Sequence, residues 1–233
     1  VERALEVLRG TLTAARMHDA NLIDISIPMS ATTPPWPGDT PFSCGWTCRR
    51  EQGDSVNLGT ITSSPHVGTH ADAPVHVESD WAASESLPLG AFVGECVVLA
   101  LPEGFPVTQD ITAGDLAALV TAACGDRVVT RVLMRTGYSL SARVFPHDWP
   151  ALTPDAAQWL LARGVRLWGT DAPSVDRRAS KELPVHHALF AGGAFVLETL
   201  ALDGVGPGVY ELLAPPLAIE GADAAPVRAL LRR

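Results

Sequence analysis

The segment Ser64–His76 reads SPHVGTHADAPVH and places His66, His70, Asp72 and His76 within eleven residues. Between them stand Val67, Thr69, Ala71, Ala73 and Val75. Successive side chains of an extended chain point to opposite faces. An extended conformation therefore gathers three imidazoles and a carboxylate on one side and turns small or apolar residues towards a core. A helix would pair His66 with His70 at i, i+4, but Pro65, Gly68 and Pro74 oppose it. Gly68 shares the polar face and is expected to leave room there for a bound ion. As core residues, these four polar groups would each need a partner. As a solvated sheet face they are an odd choice, since Lys, Glu and Thr usually fill that role. Imidazole and carboxylate are the usual ligands of catalytic zinc and also suit manganese. The pattern predicts a metal site.

The remaining residues must build a body around that segment. At 233 residues, with 47% hydrophobic and 18% charged side chains, the chain has the makeup of one globular domain. Residues 21–27, 56–63, 96–101, 127–136, 165–170, 194–201 and 209–213 read as strands. Thr112-Ala-Gly-Asp115 is a capping box with Asp in place of Glu, opening a helix that Gly125 stops. Thr153-Pro154 is a cap followed by proline at the first helical position, and that helix ends at Gly164. In residues 1–20, Ala4, Leu5, Leu8, Leu12 and Ala15 recur at helical spacing and predict an amphipathic helix. Strands and helices alternate only in the middle, and no repeat or linker interrupts the chain. A single mixed α/β domain is expected over residues 21–233.

Charge and composition exclude several classes of function. The 17 Lys and Arg against 26 Asp and Glu leave a net charge of −9, and Lys181 is the one lysine. Nucleic-acid binding rests on neutralising phosphates, so no such partner is expected. No run approaches the ~18–20 apolar residues of a membrane span, and the charged N-terminal stretch is unlike a secretory signal. Cys44, Cys48, Cys96 and Cys124 form no CxxC pair and read as free thiols in a reducing cytoplasm, with a labile Cys44–Cys48 pair as the alternative. GxSxG, P-loop and GxGxxG sequences are absent.

Three further features bear on a site. His186 and His187 precede Glu198, which sits in the strand-like AFVLETL. A glutamate between leucines is costly if buried unpaired, so it either binds a cation or faces water on an edge strand. Trp36, in the loop PPWPGD, is either an aromatic platform for a flat substrate or a loop anchored in the core. Asp171 of GTDAPS either supports a ligating histidine or caps a turn.

The stretch H-x-G-T-H-x-D-x-P-x-H, from His66 to His76, resembles the cyclase-like metal-dependent hydrolases, and in particular their kynurenine formamidase (arylformamidase) branch. LIDISIPMSATTPPWPGDTPF, GTDAPSVD, HHALF with its following glutamate, and APVRALLR extend the resemblance from about residue 21 to the end. It implies a swivelling β/β/α fold and two divalent ions, Zn2+ first and Mn2+ or Co2+ next. His66, His70 and Asp72 would hold one ion, with Asp72 bridging to a second held by His186 and Glu198. The family's His-to-Glu spacing selects His186 over His187. His76 would be the acid/base and Trp36 a substrate contact. The implied reaction is hydrolysis of an aryl-formamide, N-formyl-L-kynurenine, to L-kynurenine and formate by a metal-activated hydroxide, in a homodimer or larger homo-oligomer. Opening of a cyclic amide, as in isatin hydrolase, is the alternative on the same site.

Overall fold

The computed structural model describes residues 21–233, so the helix expected over residues 1–20 lies outside the described residues. The described chain begins with β1 (Leu22–Asp24). It then forms a separate hairpin from β2 (Ser43–Cys48) and β3 (Leu58–Thr62) and reaches β4 (His70–Asp72). The short helix α1 (Leu89–Phe92) leads into β5 (Val93–Ala100). Helix α2 (Ala113–Cys124) precedes β6 (Arg131–Arg135), and helix α3 (Pro154–Ala162) precedes β7 (Leu167–Thr170). Helix α4 (Pro184–Ala191) precedes β8 (Phe195–Glu198), and β9 (Gly208–Leu213), β10 (Ala224–Pro226) and β11 (Leu230–Arg232) follow.

Local chemistry accounts for the helix starts. Thr112 Oγ1 accepts from Asp115 N at 3.2 Å while Asp115 Oδ2 accepts from Thr112 N at 2.9 Å, so both arms of the expected capping box form at α2. Thr153 Oγ1 accepts from Ala156 N at 3.1 Å at the head of α3. Helix α4 opens on Pro184, but its cap position is Leu183, in a left-handed conformation with φ 42°, whose own side chain makes no capping bond. That helix was not among the sequence expectations.

Nine strands form one sheet in the order β1-β11-β9-β5-β6-β7-β8-β4-β10. The central four, β5 to β8, run parallel, and the flanking pairs are antiparallel. Alternation divides the side chains of the parallel strands between two cores. Val97, Leu99, Val132 and Met134 pack under α2, α3 and α4 with Leu116, Leu160 and Leu189. Cys96, Val98, Leu133 and Leu197 face the other way. Burial on both faces is what the helical crossovers of parallel strands require.

The second core shows that the sheet curls. It joins Leu231 of β11 to Ala71 of β4, strands far apart in the sheet order. Ile25, just past β1, enters the same core, and the Ser26–Leu200 bridge brings that end of the sheet back towards β8. Gly169 on β7 permits this closeness: a Cβ there would lie 2.4 Å from Leu133 Cδ2 and 3.0 Å from Leu200 Cδ1. The result is the mixed α/β domain with a curled sheet that the resemblance implies. No helix among the described residues is long and apolar enough to cross a membrane.

Candidate metal centre

Only His70–Asp72 of the motif is strand, so the continuous extended segment expected over residues 66–76 is broken at both ends. His70 and Asp72 keep one face, as their two-residue spacing requires. Before them the chain turns at Gly68, with φ +77°. A Cβ at Gly68 would meet the Ile27 carbonyl at 2.9 Å. Gly68 therefore serves a close backbone crossing, and not the ion clearance expected from the sequence. After the strand, Pro74–His76 forms one 3-10 turn that swings His76 back. The four motif side chains still converge, through a turn, a strand and a 3-10 turn.

Strand pairing brings in Glu198, which lies directly opposite His70 in the β4–β8 register. Helix α4 delivers His186 from the other side. His66 Nδ1 and His70 Nε2 lie 3.1 and 3.2 Å from Asp72 Oδ1, and 3.1 Å from each other. His186 Nε2 lies 3.2 Å from Asp72 Oδ2 and 3.4 Å from Glu198 Oε1. Each carboxylate oxygen of Asp72 thus opens a separate group of ligand atoms. His187 turns away and meets the Trp81 ring at 5.8 Å.

These residues fit a cation. Asp72 is fully buried, and its Oδ1 has no hydrogen-bond partner. A buried carboxylate oxygen left that way is costly, and two imidazole nitrogens stand around it. Zinc bonds to nitrogen and oxygen of about 2.0–2.1 Å imply a tetrahedral edge of roughly 3.3 Å. The separations of 3.1–3.4 Å match that edge.

The electrostatics carry the same message. Burial opposes charge on His66, but the neighbouring Asp223 and Asp72 carboxylates outweigh burial and push its pKa up to about 10. Burial likewise opposes charge on His186, and Asp176, Asp72 and Glu198 together raise it well above the usual imidazole range. Burial works against ionised Asp72, yet the surrounding histidines hold it well below the usual carboxylate range. The cluster demands positive charge at its centre. Protons meet that demand in the chain alone, and a divalent ion would meet it with the same nitrogens deprotonated.

Two carboxylates that sequence reasoning did not single out support the histidines. Asp176 Oδ2 lies 2.7 Å from His186 Nδ1 and accepts from His186 N at 3.1 Å, while Oδ1 accepts from Val185 N at 3.1 Å. It caps α4 and orients the imidazole with one side chain. Asp176 shares the GTDAPSVD stretch with Asp171, five residues further on. Asp171 proves to be the turn cap: it accepts from Thr136 N at 2.7 Å, from Thr136 Oγ1, and from Gly137 N at 3.0 Å. The second carboxylate, Asp223, meets His66 and His76.

The cluster forms the floor of a pocket of about 280 Å³. Trp36, Leu140, Phe145 and Leu183 line its apolar side, and Asp39, Ser174, Ser180 and Thr199 its polar side. Trp36 meets Phe145 edge-on at 5.5 Å and the buried Trp149 at 5.8 Å. It is anchored by aromatic packing, as the anchor reading expects, and it also walls the pocket. His76 lines the pocket as well, its ring 4.4 Å from that of His66.

Residues 23–177 match the sequence pattern of the Cyclase family. The chain belongs to the Cyclase family. Within it, kynurenine formamidase of Salinibacter ruber (strain DSM 13855 / M31) is 44% identical over 217 residues, covering 91% of this chain and 97% of that protein. Kynurenine formamidase of Bordetella avium (strain 197N) is 42% identical over 215 residues, with 91% and 97% covered. A solved structure described as a potential metal-dependent hydrolase with cyclase activity superposes with a TM-score of 0.74 at 31% identity, covering 90% of this chain and 96% of that one.

Two predictions test the supports of this Cyclase-family site. Asp176→Ala should weaken metal binding about 10–100-fold, as loss of a ligand's outer partner typically does, read by chelator competition. Asp171 should show a different, purely structural pH effect. Burial pushes its carboxyl up to about 6 despite three hydrogen bonds. A folded pKa above the ordinary value means that its contribution is most favourable at low pH and declines as pH rises through about 6. The stability gap between the unaltered chain and Asp171→Asn should therefore narrow from about pH 4 to about pH 7, measured as Tm.

Proposed function

We propose that the chain is a metal-dependent arylformamidase that hydrolyses N-formyl-L-kynurenine to L-kynurenine and formate. The observation that carries this reading is the convergence of six ligand atoms from five side chains, including both oxygens of Asp72, on the floor of an aromatic-walled pocket. Identity above 40% to chains named kynurenine formamidase favours the formamide over a cyclic amide.

In this reading His66, His70 and Asp72 hold one divalent ion, and Asp72, His186 and Glu198 hold a second. Zinc suits the donor set best, with manganese or cobalt as substitutes. When bound, such ions supply a water of pKa near 7 and polarise a carbonyl oxygen. The chain's own residues supply the rest. Trp36 and Phe145 hold the aryl ring and exclude water from one side. Glu198 stays aimed at the centre because its Oε1 accepts from Val175 N at 2.8 Å. His76 stands beside the ligand cluster and hands a proton to the anilide nitrogen as its bond to the formyl carbon breaks. An arylamide nitrogen leaves poorly as an anion, so this proton is needed. The atoms of water end as the new formate oxygen, one proton on the amine and one released from the acid.

The setting follows from the same reading. The four free cysteines support a reducing, cytoplasmic environment. The β2–β3 hairpin exposes Trp46, Leu58 and Ile61, which supports assembly into a homodimer or larger homo-oligomer, since an isolated two-stranded hairpin is marginally stable.

Roles can be separated by substitution. His70→Ala should lose metal and turnover together. His76→Ala should retain its metal content and lose about 10²–10⁴-fold in kcat. Near-normal kcat in that variant would remove His76 from the reaction. On one metal-stripped preparation, adding Zn2+, Mn2+ or Co2+ in turn should restore N-formylkynurenine hydrolysis. Its kcat/KM should exceed that for isatin, and the reverse order would favour the cyclic-amide reading.

A further inference from the structure

Asp223 stands at the rim of the cluster, in the loop entering β10. Its Oδ2 lies 2.9 Å from His66 Nε2 and 3.4 Å from His76 Nδ1. One oxygen therefore faces two imidazoles at once. The position of Asp223 is set by the sheet. Its carbonyl accepts from Ala73 N at 2.9 Å, and the next residue, Ala224, pairs with Asp72. The preceding residue is held in turn, because the Ala222 carbonyl accepts from Ser84 N at 2.9 Å. The backbone that carries Asp72 and turns into His76 thus fixes this carboxylate against both rings.

We propose that Asp223 is a positioning residue that sets the tautomers of His66 and His76 together. An ionised carboxylate only accepts hydrogen bonds, so each nitrogen facing it carries the proton. His66 then presents the lone pair of Nδ1 towards Asp72 Oδ1 and His70 Nε2, the side on which the proposed ion sits. His76 holds its proton on Nδ1 and keeps Nε2 for proton transfer in the pocket. When Nε2 takes a proton, the carboxylate balances the imidazolium, the part played by the aspartate in Ser-His-Asp triads. A ligating histidine commonly gives its other N–H to such a carboxylate. Here one carboxylate serves a ligand and the acid/base together, which ties the ion's seat to the proton-transfer step.

His66, His76 and Asp223 also lie close enough to hold an ion themselves. That arrangement would need Nε2 of His66, while Nδ1 already belongs to the Asp72 group. The carboxylate-support role accounts for both nitrogens without a further ion.

The turnover arm of the test rests on the arylformamidase reading, and the metal arm does not. Asp223→Ala and Asp223→Asn are made in the unaltered enzyme and in His76→Ala. N-formyl-L-kynurenine turnover, metal equivalents per chain and zinc affinity by chelator competition are measured for each. Asp223→Ala should lower kcat on the order of 100-fold with KM little changed. It should weaken zinc binding about 10–100-fold without loss of an equivalent. Asp223→Asn, which keeps an acceptor oxygen in place, should recover most of the zinc affinity. In His76→Ala at saturating zinc, where the His66 seat is filled, the same alanine change should cost less than about threefold in kcat, since the residue through which it acts on proton transfer is gone. Equal losses in both backgrounds, a missing metal equivalent, or unchanged kcat in Asp223→Ala would each overturn the proposal. Absence of turnover in the unaltered enzyme would overturn the formamidase reading alone. Asp223 would then stand or fall on zinc affinity, and full affinity in Asp223→Ala would remove it.

Discussion

The carboxylate of Asp72 is fully buried, and its two oxygens face different partners: His66 and His70 on one side, His186 on the other. A charge so far from water is tolerated only with close compensation. Much of the surrounding structure supplies it. Strand β4 lies between β8 and β10, so Asp72 is flanked by Glu198's strand and by the strand that Asp223 introduces. Helix α4 is capped by Asp176, whose other task is to aim His186. Removing any one of these supports leaves the buried carboxylate with less than it needs.

The pocket also follows from the sheet's directions. Strands β6, β7 and β8 are parallel, and each ends at the site: residues 136–140 follow β6, 171–176 follow β7, and Glu198 with Thr199 closes β8. Open parallel sheets bind ligands beyond the carboxyl ends of their strands. The antiparallel strand β4 crosses in from the opposite direction, so its first residue, His70, arrives at the same end as Glu198. Thr199, in a left-handed conformation with φ 54°, marks how sharply the chain leaves that floor. A β-branched residue rarely adopts it.

Short-range patterns were legible in the sequence because their physics is short-range. The alternation of His70 and Asp72, the Thr112–Asp115 box and the Thr153-Pro154 cap all involve residues within a few positions of one another, and all formed. The clustering of His66, His70, Asp72 and His76 is legible for the same reason, although a turn, a strand and a 3-10 turn achieve it in place of one extended segment. Gly68 answers to the Ile27 carbonyl, a neighbour that no local pattern reveals. Helix α4 was hidden because its cap, Asp176, lies eight residues before its first position. Asp223 was hidden because it meets His66 across 157 positions. Its pairing exists only once β10 has docked on β4. The resemblance to a family supplied what spacing could not, the joining of His186 and Glu198 to the motif.

The last two strands close the sheet at opposite ends. Strand β11 inserts between β1 and β9, and β10 forms the far edge beside β4. Both come from one short stretch, residues 224–232. During synthesis, everything from β1 to β9 leaves the ribosome before either seam can be sealed. Until then β4 has an open edge and Asp72 is protected on one side only. The cluster residues from His66 to Glu198 all precede these strands, but β4, which carries His70 and Asp72, gains its second neighbour only from residues 224–226. Domains fold largely as units, and here the final residues of the sheet decide when this one becomes whole. Closure of the sheet around the cluster waits on residues 224–232 by topology alone.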